Sequence, residues 1–129
     1  HGVLSRHAGV KILCCGSRYW VDVDTITLAL EGLGNDVTLI HGACGGADRI
    51  CAEVGRRCGF RVQDYAAIWE KHGLAAGPMR NQLMIDENPD IALVLAFTDN
   101  IEASKGTRDM VTRAARVRIP VIKIRPRRP

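Results

Sequence analysis

Five short apolar runs, separated by segments long enough for a helix, constrain this chain more than anything else in it. Residues 10–15 (VKILCC), 37–40, 60–65, 91–97 (IALVLAF) and 119–124 read as strands. The strongest of them are apolar at consecutive positions and do not alternate, so both faces of their sheet must be covered. The intervening segments carry helix signals. Asp22 or Asp24 can cap a helix whose apolar positions are Ile26, Leu30 and Leu33. A second helix sets Ala47, Ile50, Cys51, Val54 and Cys58 on one face and closes at Gly59. A third starts at Pro78 and runs through Met84 until Asn88-Pro89 breaks it, and Gly106-Thr107 opens a fourth. Residues 66–77 read as irregular and 99–105 as a polar loop. Strands alternating with helices predict the α/β class, with a five-stranded parallel sheet between two helical layers.

At 129 residues and 47% apolar content the chain suits one domain with a real core. That domain is expected over residues 9–125, with 1–8 and 126–129 as flexible ends. Residues 91–97, the longest uncharged apolar run, are far too short to cross a bilayer, and no segment reads as a secretion signal. The net charge of +4 is concentrated at one end: Lys123, Arg125, Arg127 and Arg128 lie within the last seven residues, and the remainder is neutral. Such a tail is a weak sign of nucleic-acid contact, which is possible and not favoured. The five cysteines lack the C-x-x-C spacing of a metal or redox motif. Cys44, Cys51 and Cys58 recur every seven residues, which would place them on one helical face as a buried stripe, with no metal and no cofactor expected. Free thiols in a core point to a reducing, cytoplasmic location.

In a parallel α/β sheet all strand-to-helix loops lie at the carboxyl edge, and ligands bind there where the strand order reverses. The residues to watch follow strands one, two and four: Gly16, Ser17 and Arg18; Gly42, Gly45, Gly46 and Asp48; Gly106 and Thr107. Glycines let backbone amides approach a ligand, and helix N-termini offer unpaired N–H groups that suit a phosphate. Arg80 and Asn81, in the first turn of the third helix, could hold phosphate and ribose. Of the aromatic pair Tyr19-Trp20, one is expected to line the pocket and stack on a base. Neither G-x-x-x-x-G-K-[ST] nor G-x-G-x-x-G is present, so a P-loop NTPase or a conventional dinucleotide dehydrogenase is not expected.

The GSR turn, HGACGGADR, AGPMRNQLM and GTRDM occur in an order that resembles the SLOG superfamily, in particular its YspA-like branch of small bacterial and phage proteins. The resemblance spans residues 11–121. It implies a Rossmann-like three-layer sandwich that binds nucleotides or nucleotide-derived ligands and often forms homodimers. Arg80 and Met84 are similar to the R-K-x-x-M of the lonely-guy phosphoribohydrolases, with Asn81 in place of lysine, and Gly106-Thr107 is similar to their phosphate-binding turn. Their catalytic glutamate would fall three residues after Thr107, where this chain has Met110. Asp48 and Asp109 are the remaining candidate acids.

The expected function is therefore binding of a phosphate-bearing, nucleotide-like small molecule, as a sensor or binding module. The alternatives are a hydrolase of a nucleotide N-glycosidic bond and a DprA-like binder of single-stranded DNA. Arg80→Ala is expected to weaken a phosphorylated ligand while changing stability little, because a residue at a helix start is free of packing duty.

Overall fold

The computed structural model describes residues 9–127. Five parallel strands, β1 (Val10–Gly16), β2 (Val37–His41), β3 (Arg61–Asp64), β4 (Ile91–Phe97) and β5 (Val121–Ile124), form one sheet in the order β3-β2-β1-β4-β5. The helices are α1 (Val23–Glu31), α2 (Ala47–Arg57), the four-residue turn α3 (Trp69–His72), α4 (Ala76–Glu87) and α5 (Lys105–Arg116). This is the expected α/β, Rossmann-like sandwich. The chain first builds outward from β1 through β2 to β3, then returns to the other side of β1, so the order reverses between β1 and β4.

Burial explains the continuous apolar runs. On one face Ile12, Cys14, Val37, Leu39, Leu95 and Phe97 pack with Ile26 and Leu30 of α1 and Cys51 and Val54 of α2. On the other, Leu13, Cys15, Ile40, Val94 and Ala96 pack with Met84 and Ile85 of α4 and Met110 and Ala114 of α5. Burying each large aliphatic side chain contributes roughly 1.5–3 kcal/mol against the entropy of ordering it. The edge strands β3 and β5 are mostly half-buried or exposed and carry Arg61, Gln63, Asp64 and Lys123.

Local signals fix the helix ends. Asp22, not Asp24, caps α1: its Oδ1 accepts from Thr25 N at 3.0 Å and its Oδ2 from the Thr25 hydroxyl at 2.5 Å. The same carboxylate accepts from the backbone N–H of Arg127, which ties the chain beyond β5 back to α1. Of the flexible ends expected at residues 1–8 and 126–129, residues 1–8 and 128–129 lie outside the described residues, and at 126–127 the chain is held by that Arg127 bond. Residues 66–77 are not wholly irregular: α3 and a 3₁₀ turn (Gly73–Ala75) precede α4, which begins at Ala76 and extends past Met84 to Glu87. A single turn buries no residue and shows no period, so its sequence carries no helical stripe. The 99–105 loop likewise contains a 3₁₀ turn (Ile101–Ala103). The seven-residue cysteine stripe is also corrected. Cys51 is buried inside α2 and Cys58 caps its end, but Cys44 precedes the helix because Gly46, not an earlier residue, is its N-cap.

Candidate functional site at the carboxyl edge

The loop after β1 is locked by its backbone. Ser17 N donates to Phe97 O at 2.9 Å, and Ser17 O accepts from Trp20 N at 3.2 Å and from Ala47 N, the first residue of α2, at 3.0 Å. Gly16 and Gly46 are glycines because a Cβ on the first would collide with the Phe97 carbonyl and on the second with the backbone of Arg18; Gly46 also has φ +66°. The first of these bonds closes the end of β1 onto the end of β4, the pair between which the strand order reverses, and the other two hold the turn after β1 on itself and on the start of α2. The turn sends its two aromatic residues apart. Trp20 is 5% exposed, packs edge-on against Phe97 with ring centres 5.6 Å apart, and donates from Nε1 to Asp22 O. Tyr19 is 82% exposed at the carboxyl edge.

The loop after β2 is held from two sides. Asp48, in the first turn of α2, is buried and its Oδ2 accepts from Gly42 N at 3.0 Å and Cys44 N at 3.3 Å. Burial pushes this carboxyl up to about 6, against the opposing pull of the Cys44 N–H, the Arg80 guanidinium and the Gly42 N–H. From the other side Arg80 Nη1 donates to Gly42 O, and Arg80 Nε to Asn81 Oδ1 at 2.8 Å. The guanidinium lies so close over Gly42 that a Cβ there would sit 2.7 Å from Nη1. Ala43, between them, is a non-glycine residue at φ +57°. Its N–H donates to His41 Nδ1 at 2.9 Å, which leaves the His41 proton on Nε2, the one buried side-chain nitrogen or oxygen without a hydrogen-bond partner among the described residues. Burial lowers the His41 pKa, so the ring is neutral near pH 7.

Behind this loop a polar chain ties α4 to α5. Asn81 Nδ2 donates to Asp109 Oδ2 at 2.9 Å and to Gly106 O at 3.3 Å; Asp109 also accepts from Arg113 Nε at 2.8 Å, and Arg113 Nη1 donates to Gln82. Partial burial works to raise the Asp109 carboxyl, but the hydrogen bonds from Arg113 and Asn81 outweigh it and hold it below the ordinary range.

Over the carboxyl ends of the first three strands lies a cleft of about 600 Å³. Arg18 and Tyr19 line it from the loop after β1, and residues 42–45 from the loop after β2. Ala66, Ala67 and Trp69 line it from the segment after β3, and Arg80 from α4. Arg18 is exposed, and its side chain has no hydrogen-bond or ion-pair partner among the described residues. A smaller depression of about 320 Å³, lined by Thr27, Glu31, Gly34, Val54, Arg57 and Cys58, lies between α1 and α2, away from the loops at the carboxyl edge.

Of the residues singled out in the sequence, Arg18, Gly42, Gly45 and Arg80 meet in the cleft. Gly16, Ser17 and Gly46 shape it from below through the contacts above. Asp48, Asn81, Gly106, Thr107 and Asp109 are not in its lining. Thr107 is buried, and Met110 points into the core against the sheet. The expectation for Arg80 is corrected: it is 9% exposed and bonded at two atoms, because α4 packs directly over the Gly42 backbone. Tyr19 is the aromatic residue that lines the pocket, and Trp20 belongs to the core. Ala66, Ala67 and Trp69 went unnoticed. Applying the carboxyl-edge argument to strand three as well would have found them.

A family model described as the YspA, cpYpsA-related SLOG family matches residues 10–72, which contain the first three cleft segments. The Gene 61 protein of Mycobacterium phage D29 is 34% identical over 121 residues, covering 87% of this chain and 94% of that protein. The X-ray structure of DNA processing protein A (DprA) from Streptococcus pneumoniae superposes with a TM-score of 0.70 at 13% identity. That likeness covers 89% of this chain and 50% of DprA, so the chain spans about half the length of that protein and shares its fold. With β1, the glycine turn after β2 and a relative matched over nearly its full length, the chain belongs to the YspA, cpYpsA-related SLOG family.

Proposed function

We propose that this protein is a binding module or sensor for a phosphate-bearing, nucleotide-like small molecule held in the cleft over β1, β2 and β3. One observation carries the reading: the lining combines two arginines, two exposed aromatic rings and glycine backbone, with no carboxylate. An anion entering there meets Arg18, whose guanidinium is uncommitted, and the remaining donors of Arg80. It does not compete with Asp48, which already takes the N–H groups at the start of the Gly42 loop. The same lining supplies no acid to protonate a leaving base or activate water, so binding is favoured over N-glycosidic hydrolysis.

A thermal-shift screen with nucleoside monophosphates, ADP-ribose, cyclic nucleotides and single-stranded DNA tests this. A mononucleotide at a hundred times its dissociation constant should add about 2.7 kcal/mol to stability. The name of DNA processing protein A makes DNA the necessary comparison. Shifts with DNA alone, lost at moderate salt, would move the assignment to strand binding. Homodimer formation is part of the proposal. Leu74, Met79 and Leu83 are exposed on and before α4 and offer an apolar surface for it, which light scattering would test. So is a cytoplasmic location, which suits the buried thiols of Cys14, Cys15 and Cys51; among the described residues no helix is long and apolar enough to cross a membrane.

A further inference from the structure

Trp69 is the least explained residue of the cleft. It is 49% exposed, sits outside both core clusters, and belongs to a four-residue turn that buries nothing. Yet its ring is placed: Cη2 lies 3.4 Å from where a Cβ on Gly77 would stand, so the far end of the indole rests on the bare backbone at the start of α4. The residues just before it in the lining are Ala66 and Ala67, whose short side chains leave the space beside the ring open. Tyr19, the other exposed ring, reaches the same cleft from the loop after β1.

We infer that Trp69 is the ring-binding platform of this cleft, stacking the planar base of a nucleoside monophosphate, with Tyr19 as a second ring surface. The inference rests on the nucleotide reading and deepens it by assigning the base to the segment after β3. A half-exposed indole braced at one end is held in position before ligand arrives, so little ordering is lost on stacking. Base–aromatic stacking tolerates any base, because every base has a flat π-face; selection here is for a planar ring and not for one base identity.

The two tryptophans make the test direct, because Trp20 is buried against Phe97 and only Trp69 can meet a ligand in the cleft. The full chain is titrated with AMP, GMP, CMP and UMP by calorimetry and by tryptophan fluorescence, with ribose 5-phosphate as competitor. Binding should change the fluorescence of the wild type and leave that of Trp69→Leu nearly constant. Trp69→Leu should weaken AMP about tenfold or more. Trp69→Phe should recover most of the loss, and ribose 5-phosphate should bind all three proteins alike. Nucleotide binding that is unaffected by Trp69→Leu, or equally impaired in Trp69→Phe, overturns the platform and leaves the nucleotide reading standing. Failure of all four monophosphates to bind the wild type overturns the platform as assigned to a nucleoside monophosphate, and failure of ADP-ribose and the cyclic nucleotides as well overturns the nucleotide reading.

Discussion

Asp48→Asn should change how stability depends on pH, and the change can be worked out from the structure. The carboxyl is buried beneath the Gly42 loop and shifted from 3.8 to about 6. In the unfolded chain it loses its proton near 3.8, so between that value and about 6 the folded state holds one more proton than the unfolded state. Stability from this group is therefore fully present below the unfolded value and is lost as pH rises through the folded one. The whole shift corresponds to about 3 kcal/mol, of which about 2 kcal/mol falls between pH 4 and pH 7. The Asn variant can keep both bonds on its amide oxygen, because the Gly42 and Cys44 N–H groups share one carboxylate oxygen, and whatever its NH₂ costs in the place of Oδ1 does not titrate. His41 and the surface carboxylates are common to both proteins and cancel. Urea unfolding of both at pH 4, 5, 6 and 7 should show the wild type losing about 2 kcal/mol relative to the variant across the range. A constant gap, or one that moves in the wild type's favour as pH rises, would refute the argument. It would mean that Arg80 and the two N–H donors outweigh burial.

The two cleft arginines should separate cleanly. Arg18→Ala should leave stability within about 0.5 kcal/mol while weakening a phosphorylated ligand by about tenfold to a hundredfold. Arg80→Ala should cost about 2–4 kcal/mol in chemical denaturation, because Gly42 O and Asn81 Oδ1 lose their donor inside the protein. Equal stability of the two variants would contradict this division. Gly16→Ala should lower the urea midpoint by the equivalent of about 1–3 kcal/mol by prying β1 from the Phe97 carbonyl, and an unchanged midpoint would show that the strand ends yield. Ala43→Gly relieves a left-handed alanine and should leave stability unchanged or raise it by about 1 kcal/mol; a clear loss would mean that the Ala43 methyl is needed.

What could be read in the sequence depended on how many residues carried each signal. β1, β2 and β4 were legible because burial on both faces leaves long apolar runs, and α1 and α2 because a cap or a glycine stop bounded a helical stripe. α3 was not, since a single turn has no period to detect, and with it went Trp69. The site was half legible. Glycines after strands marked where the backbone is tight, but Gly16 and Gly46 are tight against the protein itself. An arginine on a helix is ordinarily a surface residue; only the tertiary approach of α4 to Gly42 makes Arg80 an internal brace. Tyr19 and Trp20 could not be told apart by type. What decided between them was the Asp22 carbonyl within reach of one indole N–H.

Gly42 is gripped at both of its backbone polar groups, its N–H by the Asp48 carboxyl and its C=O by the Arg80 guanidinium, while the guanidinium occupies the space where a side chain would begin. Positions 42, 48 and 80 therefore cannot drift independently. A side chain at 42 becomes admissible once the arginine has gone, and a neutral residue at 48 removes a carboxylate whose charge Arg80 attracts. Across descendants of this sequence the three should change together or not at all, so the double substitution Gly42→Ala with Arg80→Ala should be milder than the sum of its parts.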